Sequence, residues 1–323
     1  MALIPELINA FVENTKNVYQ YTVFQLKHPA FNNIYYCVLL AYLFCFTLEV
    51  VLPKQRKHGL LSRKGFWLDT FYVFFNDVLV YIIGLFGLCA VTELVFLKTL
   101  KLFGINSMLV VDITHWNPLW QIMIMFVIQD FCEFVAHYLL HRSDFLWAFH
   151  KIHHAQETLG AASTRRFHFV EMFIFKPIIY IPFAMIGYSA ADYFLFQATV
   201  QNVWGFFTHT NIKVKWGFLN YIINTPETHS WHHAKNIPRR LGVNYASILN
   251  VWDLLFGFYY LPKNEVPVLG VPDQKEMPTT FLTQLTYPFK LVMVPKIVGV
   301  FDKNNCYTSP VSQKSKLALL ESN

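Results

Sequence analysis

Eight histidines form three clusters whose spacing suits metal binding. The clusters read H-Y-L-L-H, H-K-I-H-H and H-S-W-H-H, and their histidines are His137, His141, His150, His153, His154, His229, His232 and His233. On an α-helix, residues at i, i+3 and i+4 share a face, so the histidines of each cluster can point in one direction. Imidazole binds iron, zinc, copper and nickel, and a zinc ion takes at most four protein ligands. Eight histidines therefore predict two metal ions.

The isolated histidines are interpreted one by one. His209 follows a predicted membrane helix, and we expect it to be a ninth ligand. A lone histidine is more often an ordinary polar residue than a metal ligand. We predict this for His28, His58 and His115. His168 is open between a ligand, a contact behind the ligands and a position at the substrate entrance. The clusters differ from these because ionisable groups near membrane helices are costly unless they pair or bind something.

Acidic residues are expected to offset the positive charge of the metals. Asp130 and Glu133 lie seven and four residues before His137 on the same helical face. We predict that they accept hydrogen bonds from the ring nitrogens that do not bind metal. Further residues that could contact the metal ligands from outside the metal site are His168, Glu171, Asn211 and Asn224. No catalytic residue beyond the metal ligands is predicted.

Capping residues and proline predict a helix at each cluster. The predicted helices run from Pro118 to about Leu140, from a cap at Ser143 or Asp144 toward Gly160, and from Thr225, with Pro226 at the first position, to before Pro238. Each cluster then lies on a short helical face, and three such faces can converge on one point.

Composition indicates a membrane protein. Of the 323 residues 54% are apolar and only 14% are charged, which leaves too little polar surface to cover a soluble globule. The net charge of +6 comes from basic residues in short loops beside apolar segments, so nucleic-acid binding is not expected. The five cysteines form no C-x-x-C pair, which argues against a disulfide framework and a cysteine zinc site. The first residues lack a basic stretch before an apolar core, so no signal peptide is expected.

Apolar segments and loop charges predict about four membrane crossings. The segments are Ile34–Leu52, a stretch within Phe66–Leu97, Pro118 to about Leu140, and a helical hairpin over 170–208. The loop 53–65 carries five basic residues and no acid, which places it in the cytoplasm by the positive-inside rule. The loop 142–168 and the segment 209–244, with the histidine clusters, then lie on that same side.

Over residues 129–260 the sequence resembles the superfamily of fatty acid hydroxylases and sterol desaturases, which are membrane di-iron enzymes. The matching pieces are Q-D-F-C-E-F, W-A-F-H-K-I-H-H, F-F-T-H-T, N-T-P-E-T-H-S-W-H-H and N-Y-A-S-I-L-N-V-W-D-L-L-F-G. Only eight residues separate His141 from His150, whereas acyl-CoA desaturases have a longer separation. Some pieces look most like alkylglycerol monooxygenase and its bacterial relatives. R-R-F-H-F-V-E looks like the R-x-H-P-x-E of other members, with Phe169 in place of proline, so the subfamily is open.

The resemblance implies an all-α integral membrane fold, in which about four transmembrane helices carry a cytoplasmic helical cap with the histidine-rich dimetal site. The implied domains are an interfacial segment 1–33, a membrane di-iron hydroxylase domain 34–260 and a surface-associated tail 261–323. The host membrane, bacterial inner membrane or endoplasmic reticulum, is open.

The implied reaction is the hydroxylation of an unactivated C–H bond in a lipid, an acyl, alkyl-ether or sterol chain, by dioxygen and two iron ions. Zinc can replace iron in the purified protein. No dinucleotide-binding fingerprint is present, so electrons must come from a separate partner, or from a pterin as the alkylglycerol resemblance implies. Desaturation by the same centre is the alternative. A metal transporter or sensor is disfavoured because transporters place polar ligands near the bilayer midplane, whereas these clusters lie at helix ends.

Overall fold

The protein is described from a computed structural model, which covers residues 3–30, 33–54, 60–80, 87–188, 200–238 and 242–293. Within these residues the chain forms helices and turns and no β-strand, which confirms the all-α prediction. The α-helices are α1 (Leu3–Lys27), α2 (Ile34–Val51), α3 (Phe66–Phe74), α4 (Gly87–Leu102), α5 (Pro118–Arg142), α6 (Asp144–His154), α7 (Val170–Met185), α8 (described over 200–208), α9 (Pro226–His232), α10 (Val251–Leu255) and α11 (Phe281–Met293). The predicted features at Arg56, Lys57, His58, Arg239, Arg240 and in the tail 294–323 lie outside the described residues.

Helix α5 is the long apolar helix that leads into the first histidine cluster. Asn117 caps it by accepting a hydrogen bond from the Leu119 N–H at 2.9 Å, and Pro118 occupies the first turn. Among the described helices, α5 is long and apolar enough to cross a membrane, and α2 is apolar but shorter. The expected count of about four crossings stays a prediction.

The second predicted membrane segment contains an irregular helical turn in its described part. Helix α3 ends at Phe74 and continues into a π-helical turn over Phe75–Leu79, while α4 begins at Gly87. In that turn, Asn76 donates two hydrogen bonds, to the carbonyls of Arg165 at 2.8 Å and Phe167 at 3.1 Å. The irregular turn therefore presents a buried amide to the segment after the second histidine cluster.

The predicted hairpin over 170–208 is described in its two arms. Helix α7 contains Pro177 and Pro182 and ends at Met185, before Gly187 at a φ of 97°. The return arm is α8, while the intervening residues 189–199 lie outside the described part of the chain. Helix α7 packs against α5 through a buried apolar cluster that includes Met125 and Phe183. Helix α5, which carries the first histidine cluster, is thus packed against α7, the first arm of the hairpin.

A buried ionic network fixes the segment 161–166. The Asp69 carboxylate accepts hydrogen bonds from Arg63 at 3.0 Å, Ser163 Oγ at 2.9 Å and Arg166 at 3.3 Å. Glu49 accepts from the backbone N–H of Ala161 at 2.9 Å. Buried charges are stable only when paired and hydrogen-bonded, and these groups satisfy that condition together.

Candidate metal centre

Nine histidines converge at the ends of α5, α6, α8 and α9. Their ring nitrogens form two groups, each with all its ligand atoms within 4.8 Å of one another. The larger group is His137, His141, His150, His154 and His232, and the smaller is His153, His209, His229 and His233. These are the nine histidines singled out in the sequence. The second and third clusters each contribute to both groups, so the two sites share helices α6 and α9.

The four-histidine group has the geometry of a metal site. His209 Nε2 lies 3.2 Å from His153 Nε2 and 3.0 Å from His229 Nε2, which in turn lies 3.1 Å from His233 Nε2. Edges of this length belong to a tetrahedron whose centre is about 2 Å from each nitrogen, the length of an imidazole–metal bond. Because His209 Nδ1–H donates to the Gly205 carbonyl at 2.8 Å, its Nε2 carries a lone pair toward the centre.

In the five-histidine group, backbone carbonyls set the tautomers. Nδ1–H of His137 donates to the Tyr245 carbonyl at 2.9 Å, and Nδ1–H of His232 donates to the Val243 carbonyl at 2.8 Å. Their Nε2 atoms are then free to accept. In this group, the buried ring nitrogens without a hydrogen-bond partner among the described residues are the Nε2 atoms of His141, His150, His154 and His232. Metal ions would satisfy such converging acceptors.

The electrostatics of the site keep the histidines neutral. Burial, followed by the repulsion of neighbouring rings, lowers the pKa values of His153, His154, His229 and His233 well below the ordinary value. Burial lowers the pKa of His209 to about 4 and that of His232 to about 3. Neutral imidazole is the form that binds metal, so the rings are ready to act as ligands near pH 7.

Of the residues predicted to hydrogen-bond to the metal ligands, Glu171 contacts a ligand histidine directly. Its Oε2 accepts from His150 Nδ1–H at 2.7 Å and its Oε1 accepts from the His168 backbone N–H at 3.0 Å. Asn224 lies near His229, with its amide nitrogen 3.4 Å from the ring Nδ1, but donates mainly to the Ala246 carbonyl at 2.6 Å. Glu171 therefore orients one ligand, and Asn224 positions the loop beside another.

The expectation for the two acids on α5 is corrected by the structure. The Asp130 oxygens accept from the backbone N–H of Ile248 at 2.8 Å, that of Leu249 at 3.1 Å and from Trp252 Nε1 at 2.8 Å. Asp130 is seven residues before His137, which is about 10 Å along the helix. It therefore contacts the segment that contains Ile248, Leu249 and Trp252 rather than the histidine rings. Glu133 accepts from Gln129 Nε2 at 3.3 Å, and neither acid receives a hydrogen bond from a histidine in the described part of the chain.

His168 and Asn211 are also placed away from the metal ligands. The Nε2–H of His168 donates to the Leu285 carbonyl at 3.0 Å, while its Nδ1 accepts from the Val170 N–H at 3.2 Å. Both ring nitrogens are thus engaged, and His168 connects the start of α7 to α11. The Asn211 backbone N–H donates to Glu49 at 2.8 Å, which anchors the chain two residues after His209.

The sequence did not predict that backbone carbonyls of the loop 242–250 accept hydrogen bonds from the histidine rings. Asp253 accepts from the N–H groups of Tyr245 and Ala246, both at 2.8 Å, and so fixes the loop that presents the carbonyls of Val243 and Tyr245 to the rings. The only sequence signal was an acid in the motif W-D-L-L-F-G, because backbone carbonyls carry no residue-type signature.

One cavity of about 260 Å³ connects the two groups. His137 and His150 of the larger group line it, and so do His153, His209 and His229 of the smaller group. Its other apolar and polar lining includes Val38, Phe167, Met172, Phe175, Asp77, Arg165, Lys176, Gln201 and Asn202. A molecule in this cavity would contact histidines of both groups at once, with apolar walls around it.

The fold and the site define an α-helical protein with two buried groups of histidines, each of which could hold a metal ion. Residues 122–258, which carry the nine histidines, match the family model for fatty acid hydroxylase. The chain therefore contains a fatty acid hydroxylase domain over these residues.

Several known proteins are similar to this chain. Ornithine lipid hydroxylase OlsE of Rhizobium tropici is 32% identical over 186 residues, which are 57% of this chain and 55% of the relative. Alkylglycerol monooxygenase of Xenopus tropicalis is 29% identical over 156 residues, 48% of this chain and 34% of the relative. Delta(7)-sterol 5(6)-desaturase ERG3A of Gibberella zeae is 26% identical over 155 residues, 46% of this chain and 40% of the relative. The chain thus spans about a third to about half of these relatives, and no solved structure matches it significantly.

Proposed function

We propose that this protein is an oxygen-dependent lipid hydroxylase with a pair of iron ions in its two histidine groups. The observation that carries the proposal is that both groups open on one partly apolar cavity. The superfamily and the hydroxylase and monooxygenase relatives support oxidation of a lipid. With an acyl, alkyl-ether or sterol chain in the cavity, a C–H bond lies beside the ligands of both groups.

When bound, the metals would supply the oxidising power that side-chain acids and bases lack, and dioxygen with two electrons and two protons would give one hydroxyl group and one water. The nine imidazoles would hold the ions, and Glu171 and the carbonyls of Gly205, Val243 and Tyr245 would orient the rings. The apolar lining from Val38, Met172 and Phe175 would exclude water and position the chain.

We propose that the protein works in a membrane, with its centre on the cytoplasmic face. The apolar helix α5 and the expected further crossings support membrane insertion. The positions of Lys54, Lys213 and Lys215 on exposed segments near the histidines support the cytoplasmic side. The two electrons would come from a separate electron-transfer partner or from a pterin.

The test combines lipid analysis with metal analysis. Lipid extracts of cells with and without the gene are compared by mass spectrometry, and the purified protein is assayed for iron and zinc. We expect an added oxygen in one lipid class, and we expect His153→Ala and His232→Ala to abolish it and to lower the metal content. His115→Ala is the matched control, because its side chain is 87% exposed. Full turnover by both cluster variants with bound metal unchanged would contradict the proposal.

Desaturation is the second candidate, and the similarity to a sterol desaturase favours it specifically. The same site would remove two hydrogens from the lipid instead of adding oxygen. The same mass spectra separate the two reactions, because hydroxylation adds the mass of one oxygen atom and desaturation subtracts that of two hydrogens. A product with a new double bond and no added oxygen would replace hydroxylation as the assigned reaction.

A further inference from the structure

We propose that Arg165 binds an anionic oxygen group of the lipid substrate, a carboxylate or a phosphate, inside the cavity beside the histidines. The inference deepens the proposed function and rests on it. It assigns the polar end of the lipid to the cavity and places the oxidised carbon near the head group.

The side chain of Arg165 is held in a defined orientation. It belongs to the short 3₁₀ segment Ala161–Arg165, and its Nε donates to Asp77 Oδ2 at 3.0 Å. Its guanidinium carbon lies 5.4 Å from the ring centroid of Phe206. These two contacts, on the π-helical turn and on α8, fix the plane of the guanidinium before any ligand arrives.

The two Nη nitrogens are the part of Arg165 that remains for a ligand. Among the described residues, neither donates a hydrogen bond to a protein acceptor, while the side chain lines the cavity and is 13% exposed. A guanidinium presents these nitrogens as a planar pair that matches the two oxygens of a carboxylate or phosphate. Arg165 therefore has a preoriented pair of donors at the wall of the cavity.

The charged side chains that line the cavity are three acids and two bases, and each acid has a protein donor. Asp77 is engaged by Arg165 Nε, Glu171 accepts from His150, and Glu133 accepts from Gln129. Lys176 adds a second basic residue to the lining. The acids are thus engaged by protein donors, whereas the Nη nitrogens of Arg165 have no protein acceptor among the described residues.

The cavity places this anion site close to the metal site. Arg165 and His209 line the same space of about 260 Å³. Pockets that enclose drug-sized ligands start at about 300 Å³, so this space holds one end of a long lipid rather than all of it. The end beside Arg165 is the charged one, and the carbon presented to the histidines is close to it.

The test measures lipid binding to the full-length, metal-free protein in detergent. The probes are two pairs that differ in charge: a long-chain fatty acid with its methyl ester, and a lysophosphatidic acid with its monoacylglycerol. We expect the wild-type protein to bind the anionic member of one pair at least about tenfold more tightly, since a charged hydrogen bond contributes about 1.5–3 kcal/mol. The preferred pair identifies the carboxylate or the phosphate as the source.

Three variants separate ligand binding from a structural role. Arg165→Gln should remove the preference, and Arg165→Lys should keep part of it. Arg142→Gln should leave it unchanged, because Arg142 is exposed at the end of α5 and contacts the Tyr138 ring instead. Asp77→Asn breaks the same ion pair but keeps the cation, so the preference should persist or increase. Circular dichroism and zinc stoichiometry verify that each variant is folded.

The inference is overturned if wild-type protein binds both members of each pair equally, or if Asp77→Asn and Arg165→Gln lose the preference to the same extent. These binding results can be told apart from a failure of the proposed function. A preserved charge preference in a protein that oxidises no lipid after iron loading would refute the hydroxylase proposal alone. Lipid oxidation without any charge preference would refute the role of Arg165 alone.

Discussion

Nε2 of His153 lies 3.2 Å from Nε2 of His209, although the two residues are 56 positions apart in the chain. This contact joins the second histidine cluster to a histidine that stands alone in the sequence. Two buried ring nitrogens at this distance need a cation or a proton between them, because a lone pair on each would repel the other. The pair therefore marks the centre of the smaller histidine group.

The first prediction is that His209 is required for one metal ion only. His209→Ala removes one of four ligands from the smaller group and none from the larger. We expect bound metal to fall from about two to about one ion per chain, since a site with three remaining ligands binds more weakly. His141→Ala leaves four ligands in the larger group, so it should weaken that site without emptying it, and the double variant should bind less metal than either single variant. His168→Gln is the control, and equal losses in it and in His209→Ala would contradict the assignment.

The second prediction concerns Glu171, whose carboxylate accepts from His150 Nδ1–H at 2.7 Å. Glu171→Gln weakens the acceptor and lowers the basicity of the opposite ring nitrogen. We expect metal affinity to fall about 10- to 100-fold, the usual effect of losing such a partner. Competition with a chelator of known affinity measures the change. Glu157→Gln is the matched control, because Glu157 is exposed and pairs with Lys64 at the surface. The same affinity in both variants would exclude an orienting role for Glu171.

Local signals in the sequence were sufficient to predict the helices that carry the clusters. Ser143 caps α6, and Thr225 caps α9 with Pro226 in its first turn, as predicted. Helix α6 ends at His154 instead of running toward Gly160. The reason is a distant contact, because Gln274 Nε2 donates to the Ala155 carbonyl at 2.8 Å and replaces a helical partner there. Capping is a local property, whereas this helix end depends on tertiary structure.

The division of the histidines between two groups could not be predicted from their spacing. His150 and His153 lie on one helix three residues apart, yet they belong to different groups. The division depends on how α6 and α9 cross, and on carbonyls such as that of Val243 that fix single rings. The prediction for Asp130 and Glu133 was wrong for the same reason. Sharing a helical face with His137 does not determine which loop packs against these two acids.

The third prediction is that Asp69 holds the segment 161–166 in place. Asp69→Asn removes the charge that pairs with Arg63 and Arg166 and leaves two buried guanidinium groups without a counterion. Breaking a buried ion pair costs about 3–5 kcal/mol, so the melting temperature should fall by on the order of 10 °C. Differential scanning fluorimetry in detergent measures it. Glu276→Gln, at an exposed position, should change it by about 1 °C or less. A similar melting temperature for both variants would show that the network contributes little.

The last prediction concerns the pH dependence of the metal-free protein. Burial lowers the folded-state pKa of His209 to about 4 and that of His232 to about 3, whereas an unfolded histidine titrates near 6.5. Between these values the unfolded chain binds more protons, so stability rises with pH in this window. The contribution of these histidines to the free energy of unfolding is fully present above about pH 6.5. It is lost as the pH falls toward 4, by up to about 1.4 kcal/mol per pH unit for each such histidine.

Melting temperatures of the metal-free protein at pH 7, 6 and 5 measure this dependence. We expect a progressive decrease, and we expect a smaller one in His232→Gln, which has one fewer titrating ring. His28→Gln is the control, because His28 is exposed and its loss should leave the slope unchanged. With zinc bound, the decrease should begin at a lower pH, since the metal holds the rings deprotonated. A melting temperature independent of pH from 7 to 5 without metal would show that the histidines are not buried as neutral rings.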